Sequence, residues 1–418
     1  MRNSLVGVLS LLAASSSLMA QQTWTVASGG GAQFREISAA VVAAADGDLV
    51  VVAPGVYGPV VIDGKGLTIV GRSESNGIFV SNPGFAPFAT PPAITIRNLN
   101  AQQHVHLSRM QVFNFGAPRA DLLVHDCAGT VWLEELFCDS YGAPALVAER
   151  CANLVVVATT AQTNATVATP SGVPLPGPGA RLVDTSMHAY DSQFRGAHTI
   201  LELPGFPTAA LAVDGGNGIE VAGSFLQMQG CDAQGGGPSA RTRGGCLLVG
   251  NGGDGIVLTR SPTAASELRL RSTVAGGARV WSTGPFCGAP PTDGIAVRSV
   301  GGRVIELSGE AHALRGGGDL VSPTTVQMEV TGTAGDFAAL LVSSPVPALE
   351  LLGLSLHTGP GWIDLGSAVV DRMGKANFAF AVPPLSPSLP PILAAVQAVV
   401  LDRNGDLVTS GPATLVLR

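Results

Sequence analysis

The densest chemistry in this chain sits just after a Pro/Gly-rich stretch: Asp184, Asp191, Arg195 and His198. A carboxylate and an imidazole can serve as an acid/base pair, and a guanidinium can clamp a substrate. Glu134 and Asp139, from earlier repeats, are the carboxylates that would complete one groove with them. The plainer reading is a solvated edge on which Asp is a corner residue. His104 and His106 are two apart and share one face of a strand, and His125 follows about one repeat later. Stacked imidazoles could hold zinc or copper; a solvated surface ladder is the simpler account. Asp402-Arg403-Asn404-Gly405-Asp406 is half of a calcium loop, which makes calcium the one cofactor in view. Leu407 stands where that loop needs Gly, and Asn404-Gly405 between apolar runs reads more simply as a hairpin turn.

These residues need a scaffold, and Asp46–Gly71 (DGDLVVVAPGVYGPVVIDGKGLTIVG) shows what it is. Leu49–Ala53, Val60–Ile62 and Leu67–Val70 are short β-prone runs. Pro54-Gly55 and Asp63–Gly66 punctuate them. Three such runs, each followed by a turn, make one triangular coil of a solenoid. Upstream, Phe34–Ala45 has helical periodicity, with Ile37, Ala40, Val41 and Ala44 on one face. A solenoid's first coil exposes an unpaired end, and this helix is placed to cover it.

The order of Trp24-Thr25-Val26, a Gly-rich turn, that helix, Asp46-Gly47-Asp48, Val50–Val52, Pro54-Gly55-Val56-Tyr57, Val60–Ile62 and Leu67–Gly71 resembles the N-terminal signature of the pectin-lyase-like superfamily. The match covers roughly residues 24–71, and weaker coil patterning continues to about residue 315. The resemblance implies an all-β chain: a right-handed parallel β-helix over 21–320 with an N-terminal capping helix. It implies no single activity, because one fold hosts many functions. The Asn-Thr-Asp, Asp-Asp, Gly-His-Gly and Arg-Ile-Lys strings of its polygalacturonase-type hydrolases are absent. Trp132-Leu133-Glu134-Glu135 is similar to the Trp-Ile-Asp-His strand of its pectate lyases, with Glu-Glu in place of Asp-His. Arg260-Ser261-Pro262 begins the lyases' Arg-x-Pro-x-x-Arg motif, which Ala265 fails to close.

Only 13% of the 418 residues are charged, and mean hydropathy is +0.36, so the apolar surplus is expected inside the coils. Net charge is −7, which argues against nucleic acid. Met1–Ala20 reads as a secretory signal peptide, and no other run of about 18 apolar residues suggests a membrane span in the mature chain. Export lets the six cysteines (Cys127, Cys138, Cys151, Cys231, Cys246, Cys287) read as disulfides. Cys127 and Cys151 lie one coil apart, and Cys231–Cys246 could close a Gly-rich loop. The alternative is reduced, buried thiols. Loops 166–179 and 230–245 interrupt the coils. From about 331 to 418 the pattern changes to that of a small C-terminal β-sandwich, with strands at Phe337–Val342, Leu349–Leu356, Asn377–Val382, Ala394–Leu401 and Ala413–Leu417. Gly374–Arg418 resembles a C-terminal module of secreted bacterial proteins. The expectation is a monomeric secreted or cell-envelope protein that binds polysaccharide or serves structurally. The alternative is a polysaccharide lyase or glycoside hydrolase.

Overall fold

The computed structural model describes residues 22–72, 77–82, 91–114, 120–141, 143–164, 166–167, 176–198, 200–201, 214–238, 240–243, 246–278, 286, 289–316, 318–320, 324–351, 354–359, 361–382, 384–385 and 392–417. The signal-peptide reading and most of the Pro-rich insertion fall outside these. The chain is all-β: a right-handed parallel β-helix followed by a β-sandwich.

Each coil visits three parallel sheets in turn. Sheet A holds Thr23–Val26, Leu49–Val52, Leu67–Gly71, His104–Ser108, 130–134, 154–157, Ser186–Tyr190, 225–229, 267–270 and Gly302–Glu306. Sheet B runs from Gly55–Tyr57 through Ile78–Asn82, Gln111–Asn114, Phe137–Tyr141, Thr160–Asn164 and Gln193–Arg195 to 232–234 and 273–275. Sheet C runs from Val60–Asp63 through Ile94–Arg97, 122–125, 146–149, Ala180–Val183, Ile219–Ala222 and Ile256–Thr259 to Val297–Val300. Inward positions such as Ile62, Ile96, Val124, Ala148 and Leu182 stack into one core.

Helix α1 (Ile37–Ala43) is shorter than its apolar periodicity suggests, but Ile37, Ala40 and Val41 are buried in the solenoid core as that periodicity requires. Its C-terminal carbonyls are held by Lys65, whose Nζ donates to Val41, Val42 and Ala44 at 3.1, 3.1 and 2.9 Å. A cation at a helix C-terminus is favourable for the dipole as well as the orphan carbonyls.

Two corners are built from left-handed residues. Asn98, Asp126, Arg150 and Asp184 turn the chain from sheet C to sheet A; Arg109, Glu135, Ala158 and Asp191 turn it from A to B. The next residue is commonly a small hydroxyl or thiol that bonds back two residues, as Thr185 does to Val183, Ser192 to Tyr190 and Ser224 to Ala222. Each hydroxyl also accepts the backbone N–H of the preceding coil: Cys151 to Thr185, Thr185 to Ser224, Thr159 to Ser192. Cys127, Cys151 and Cys231 occupy this same slot, their thiols bonding to the carbonyls of His125, Glu149 and Gln229.

That slot overturns the disulfide expectation. Cys127, Cys138, Cys151 and Cys231 are free and buried. Cys127 and Cys151 do stack in register, but in-register rungs are about 4.8 Å apart with side chains pointing the same way, wider than the ~3.8 Å a disulfide sets between Cβ atoms. The side chains of Cys246 and Cys287 lie outside the described residues. Asp402–Asp406 is a hairpin turn: the Asp402 carboxylate accepts the N–H groups of Asn404 and Asp406 at 2.8 and 2.9 Å.

Between sheets B and C the later coils carry long loops whose two limbs are sewn together by backbone alone. Ala197 donates to Gly177, Gly216 to Ala197, Gly236 to Gly216, Gly253 to Gly236, Gly277 to Gly253 and Gly294 to Gly277, at 2.7–3.2 Å. A Cβ on Gly236 would lie 1.8 Å from the Ala197 oxygen, and one on Gly294 1.8 Å from that of Gly253. Only glycine admits this approach.

The sandwich has a sheet of Leu314–Arg315, Thr324–Thr331 and Lys375–Val382 facing a sheet of Gly318–Leu320, Ala413–Leu417, Ile392–Leu401, Phe337–Ser343, Ile363–Val369 and Leu407–Thr409. A hairpin, Pro345–Leu351 with Leu354–Thr358, extends from it, so the single run expected over 349–356 is instead the two arms of a turn. The sandwich lies flat on the outer face of sheet A. Leu49, Val51 and Val70 meet Val416; Trp132, Val155, Val157 and Tyr190 meet Ala395. Among the described residues, no helix is long and apolar enough to cross a membrane.

Candidate functional site

The six residues singled out from the sequence separate into four places. Asp184 and Asp191 are corner residues at opposite ends of the sheet A strand Ser186–Tyr190. The Asp184 carboxylate accepts from Ser261 and Thr263 at 2.7 and 2.9 Å, and those hydroxyls hold its pKa below the usual carboxylate value. Asp191 lies under Gly411 of the sandwich, where burial raises its pKa to about 7 against the opposing pull of Arg315.

Glu134 is buried between sheet A and the sandwich. It accepts from the Thr414 N–H at 3.1 Å, from the Thr414 hydroxyl, and faces His106 Nε2 at 3.0 Å. The two sheet A histidines are therefore not a solvated ladder: His106 is fully buried, and His104 packs edge-on against Trp132. His125 belongs to sheet C, where Asp126 holds it at 2.7 Å, so the three imidazoles do not converge. No group of three metal-ligating side chains occurs among the described residues.

Asp139 and Arg195 share the outer side of sheet B, two rungs apart, and His198 lies just beyond the Arg195 strand, near enough to feel its charge. Register stacks Phe113, Asp139, Gln162, Arg195 and Gln234 in one column. Asp139 accepts from Gln162 Nε2 at 3.2 Å and Asn164 Nδ2 at 2.5 Å; burial nonetheless raises its pKa. His198 accepts the Gly237 N–H at 3.0 Å, and partial covering of its ring, with the Arg195 charge second, lowers its pKa. Phe113 of this column meets Phe79 and Phe137 of the neighbouring column, stacked on Phe79 at 5.9 Å and tilted against Phe137 at 6.1 Å, all three half-exposed.

Carboxylate spacing decides what this face can do. A glycosidase needs two carboxyl groups roughly 5–9.5 Å apart. The next sheet B carboxylate after Asp139 is Asp232, three rungs on, roughly 14 Å or more away at ~4.8 Å per rung. Asp121, close to Asp139, has its pKa raised well above the usual carboxylate value by burial and by the Asp139 charge, but it is completely sealed and cannot meet a substrate. Asp139 and Asp232 are therefore too far apart to act as a glycosidase pair.

A second feature had no forerunner in the sequence reading. On the sheet C side of the glycine ladder lies a trough of about 570 Å³, with Gly177, Gly215, Gly252 and Gly253 in its floor. Its walls are pre-set by ladder bonds: Asn251 N to Asp214, Thr292 N to Asn251, Asp254 N to Asn217, and ion pairs Arg181–Glu220 and Arg298–Asp254. The signal for it was available in the Asn217-Gly218, Asp254-Gly255 and Asp293-Gly294 recurrence. Compared with known proteins, the chain matches no family model and no curated protein.

Proposed function

We propose that this is an exported glycan-binding protein of the pectin-lyase-like kind, holding an extended polysaccharide along sheet B. The observation that carries this reading is the sheet B strip, in which the neighbouring rings of Phe79, Phe113 and Phe137 adjoin Asp139, Gln162, Asn164 and Arg195. Aromatic faces take the apolar side of a sugar ring, and a few fixed polar groups orient its hydroxyls. Rungs repeat about every 4.8 Å, a spacing close to that of successive sugars in an extended chain. The test is affinity electrophoresis against neutral and acidic plant, algal and bacterial polysaccharides, with mass spectrometry of each polymer afterwards. Retardation without shortening is expected, weakened at least about tenfold by Phe113→Ala (on the order of 1.5 kcal/mol) and untouched by Asp184→Asn. Binding by Phe113→Ala equal to the parent's, or release of oligomers, would sink the reading.

A further inference from the structure

Four of the seven histidines, His104, His106, His188 and His357, gather where the sandwich meets sheet A. His357, on the sandwich strand Leu354–Thr358, inserts its ring among three sheet A side chains: Trp132 at 5.7 Å, His188 at 5.3 Å and Tyr190 at 5.4 Å. Its Nε2 lies 2.9 Å from the Tyr190 hydroxyl. One nitrogen of each of three rings (His104 Nε2, His106 Nδ1, His188 Nδ1) is sealed from solvent with no hydrogen-bond partner, and the buried His357 ring has the Val346 backbone beside it, a contact too weak to offset its burial. A neutral imidazole tolerates this; an imidazolium, with a donor on both nitrogens, does not.

We propose that these imidazoles form an acid-sensitive latch, so that acidification releases the sandwich from the solenoid while both remain folded.

The groups that face each titrating imidazole set the proton count. His188 faces Arg269 and His357, which oppose a further positive charge; His357 faces His188 and Tyr190; His104 faces His106. Burial is the main cause in each case, taking His104 to about 3, His188 to about 4 and His357 well below its ordinary value. His106 has Glu134 as a counter-charge at 3.0 Å and is left out of the count. Asp191 works the other way: burial under the sandwich raises it to about 7, so the docked form takes up its proton first. Arg271 faces Asp402 and Asp406 of the sandwich, whose charges oppose the burial that lowers its pKa.

The sign follows from linkage. A histidine whose docked pKa is depressed stabilises docking fully above about 6.5, and that contribution is lost as pH falls toward the docked value. Between about pH 6.5 and 4 the released form binds three extra protons, on His104, His188 and His357. The docked form binds one extra, on Asp191. The net difference of two protons makes the docking constant fall about a hundredfold per pH unit across that window.

The test uses the full mature chain. Small-angle scattering, far-UV circular dichroism and fluorescence of the buried Trp132 are followed from pH 8 to 4. Expected is an acid expansion and red shift with unchanged β-sheet dichroism, reversible on neutralisation and steep by two protons. His188→Gln with His357→Gln, which cannot charge, flattens that slope to near zero or reverses it. Should this variant misfold, His104→Gln alone reduces the slope by about one proton. A chain that stays compact to pH 4, one that loses its sheet signal in the same transition, or variants with the parent's slope would each overturn the proposal.

Discussion

Replacing Gly236 by Ala adds one methyl group, and the structure fixes what it meets. The new Cβ falls 1.8 Å from the Ala197 oxygen and 2.5 Å from its carbon, both backbone atoms that no rotamer can move aside. Ordinary contact requires the two limbs of the loop base to separate by more than 1 Å, roughly. Gly236 sits between two ladder bonds, its N–H to Gly216 at 2.7 Å and its oxygen accepting from Gly253 at 2.9 Å. A separation of that size takes both beyond hydrogen-bonding distance. Each leaves buried backbone groups unsatisfied at about 1–3 kcal/mol, so the substitution is expected to cost roughly 2–6 kcal/mol. Equilibrium urea unfolding measures it, with Gly29→Ala as control, because a Cβ there meets nothing within 4 Å. Hydrogen exchange would show the loss concentrated in residues 196–296, since coils couple mainly to their neighbours. If Gly236→Ala unfolds within about 0.5 kcal/mol of the control, the ladder is a by-product of loop packing and the reasoning fails.

Other outcomes follow from single residues. Cys127→Ser and Cys151→Thr should each cost less than about 1.5 kcal/mol, and thiol titration of the denatured chain should count at least four free groups. Lys65→Met uncovers three carbonyls of α1 and is expected to lower stability by about 1–2 kcal/mol, read by thermal denaturation. Glu134→Ala leaves His106 and Thr414 buried without their partner; a loss of about 3 kcal/mol is expected, against much less for Glu134→Gln, which keeps an acceptor for Thr414.

The solenoid was legible because Asp46–Gly71 packs three strands and their turns into one short stretch, and α1 because four apolar residues fall on one helical face. The sandwich strands Phe337–Ser343 and Ile392–Leu401 were legible as apolar runs. Thr324–Thr331 and Ile363–Val369 were not, since they alternate apolar with polar residues and carry no such run. The candidate site was legible only in part. Asp184 and Asp191 drew attention as carboxylates, yet each precedes a small hydroxyl residue, as do Ala158 and Gly223. That pairing, shared with Asp126-Cys127 and Arg150-Cys151, marks a left-handed corner and explains the cysteines too. Arg195 and Asp139 could be united only by knowing the register, which loops of unequal length conceal.

Where the sandwich sits also resolves the hydropathy of the chain. The apolar surplus is not confined to the coils. In Leu122–Glu134 burial alternates along the sheet C half but is continuous from Thr130 onward in sheet A, and Leu146–Val157 repeats the pattern. A strand apolar on both faces needs a cover on both. Leu49, Val51, Val70, Trp132, Val155, Val157 and Tyr190 are all buried although they point away from the solenoid interior. At about 1.5–3 kcal/mol each, their contact with the sandwich is worth roughly 10–20 kcal/mol before the costs of polar burial and ordering, and a two-proton slope over two pH units removes about 5 kcal/mol of what those costs leave. A chain ending at Ser308 should therefore expose this face at neutral pH, bind a hydrophobic dye and self-associate, while the full chain does neither until acidified. A truncated solenoid that stays monomeric and dye-free would show that sheet A tolerates water, and the sandwich would then have to be explained by something other than the face it covers.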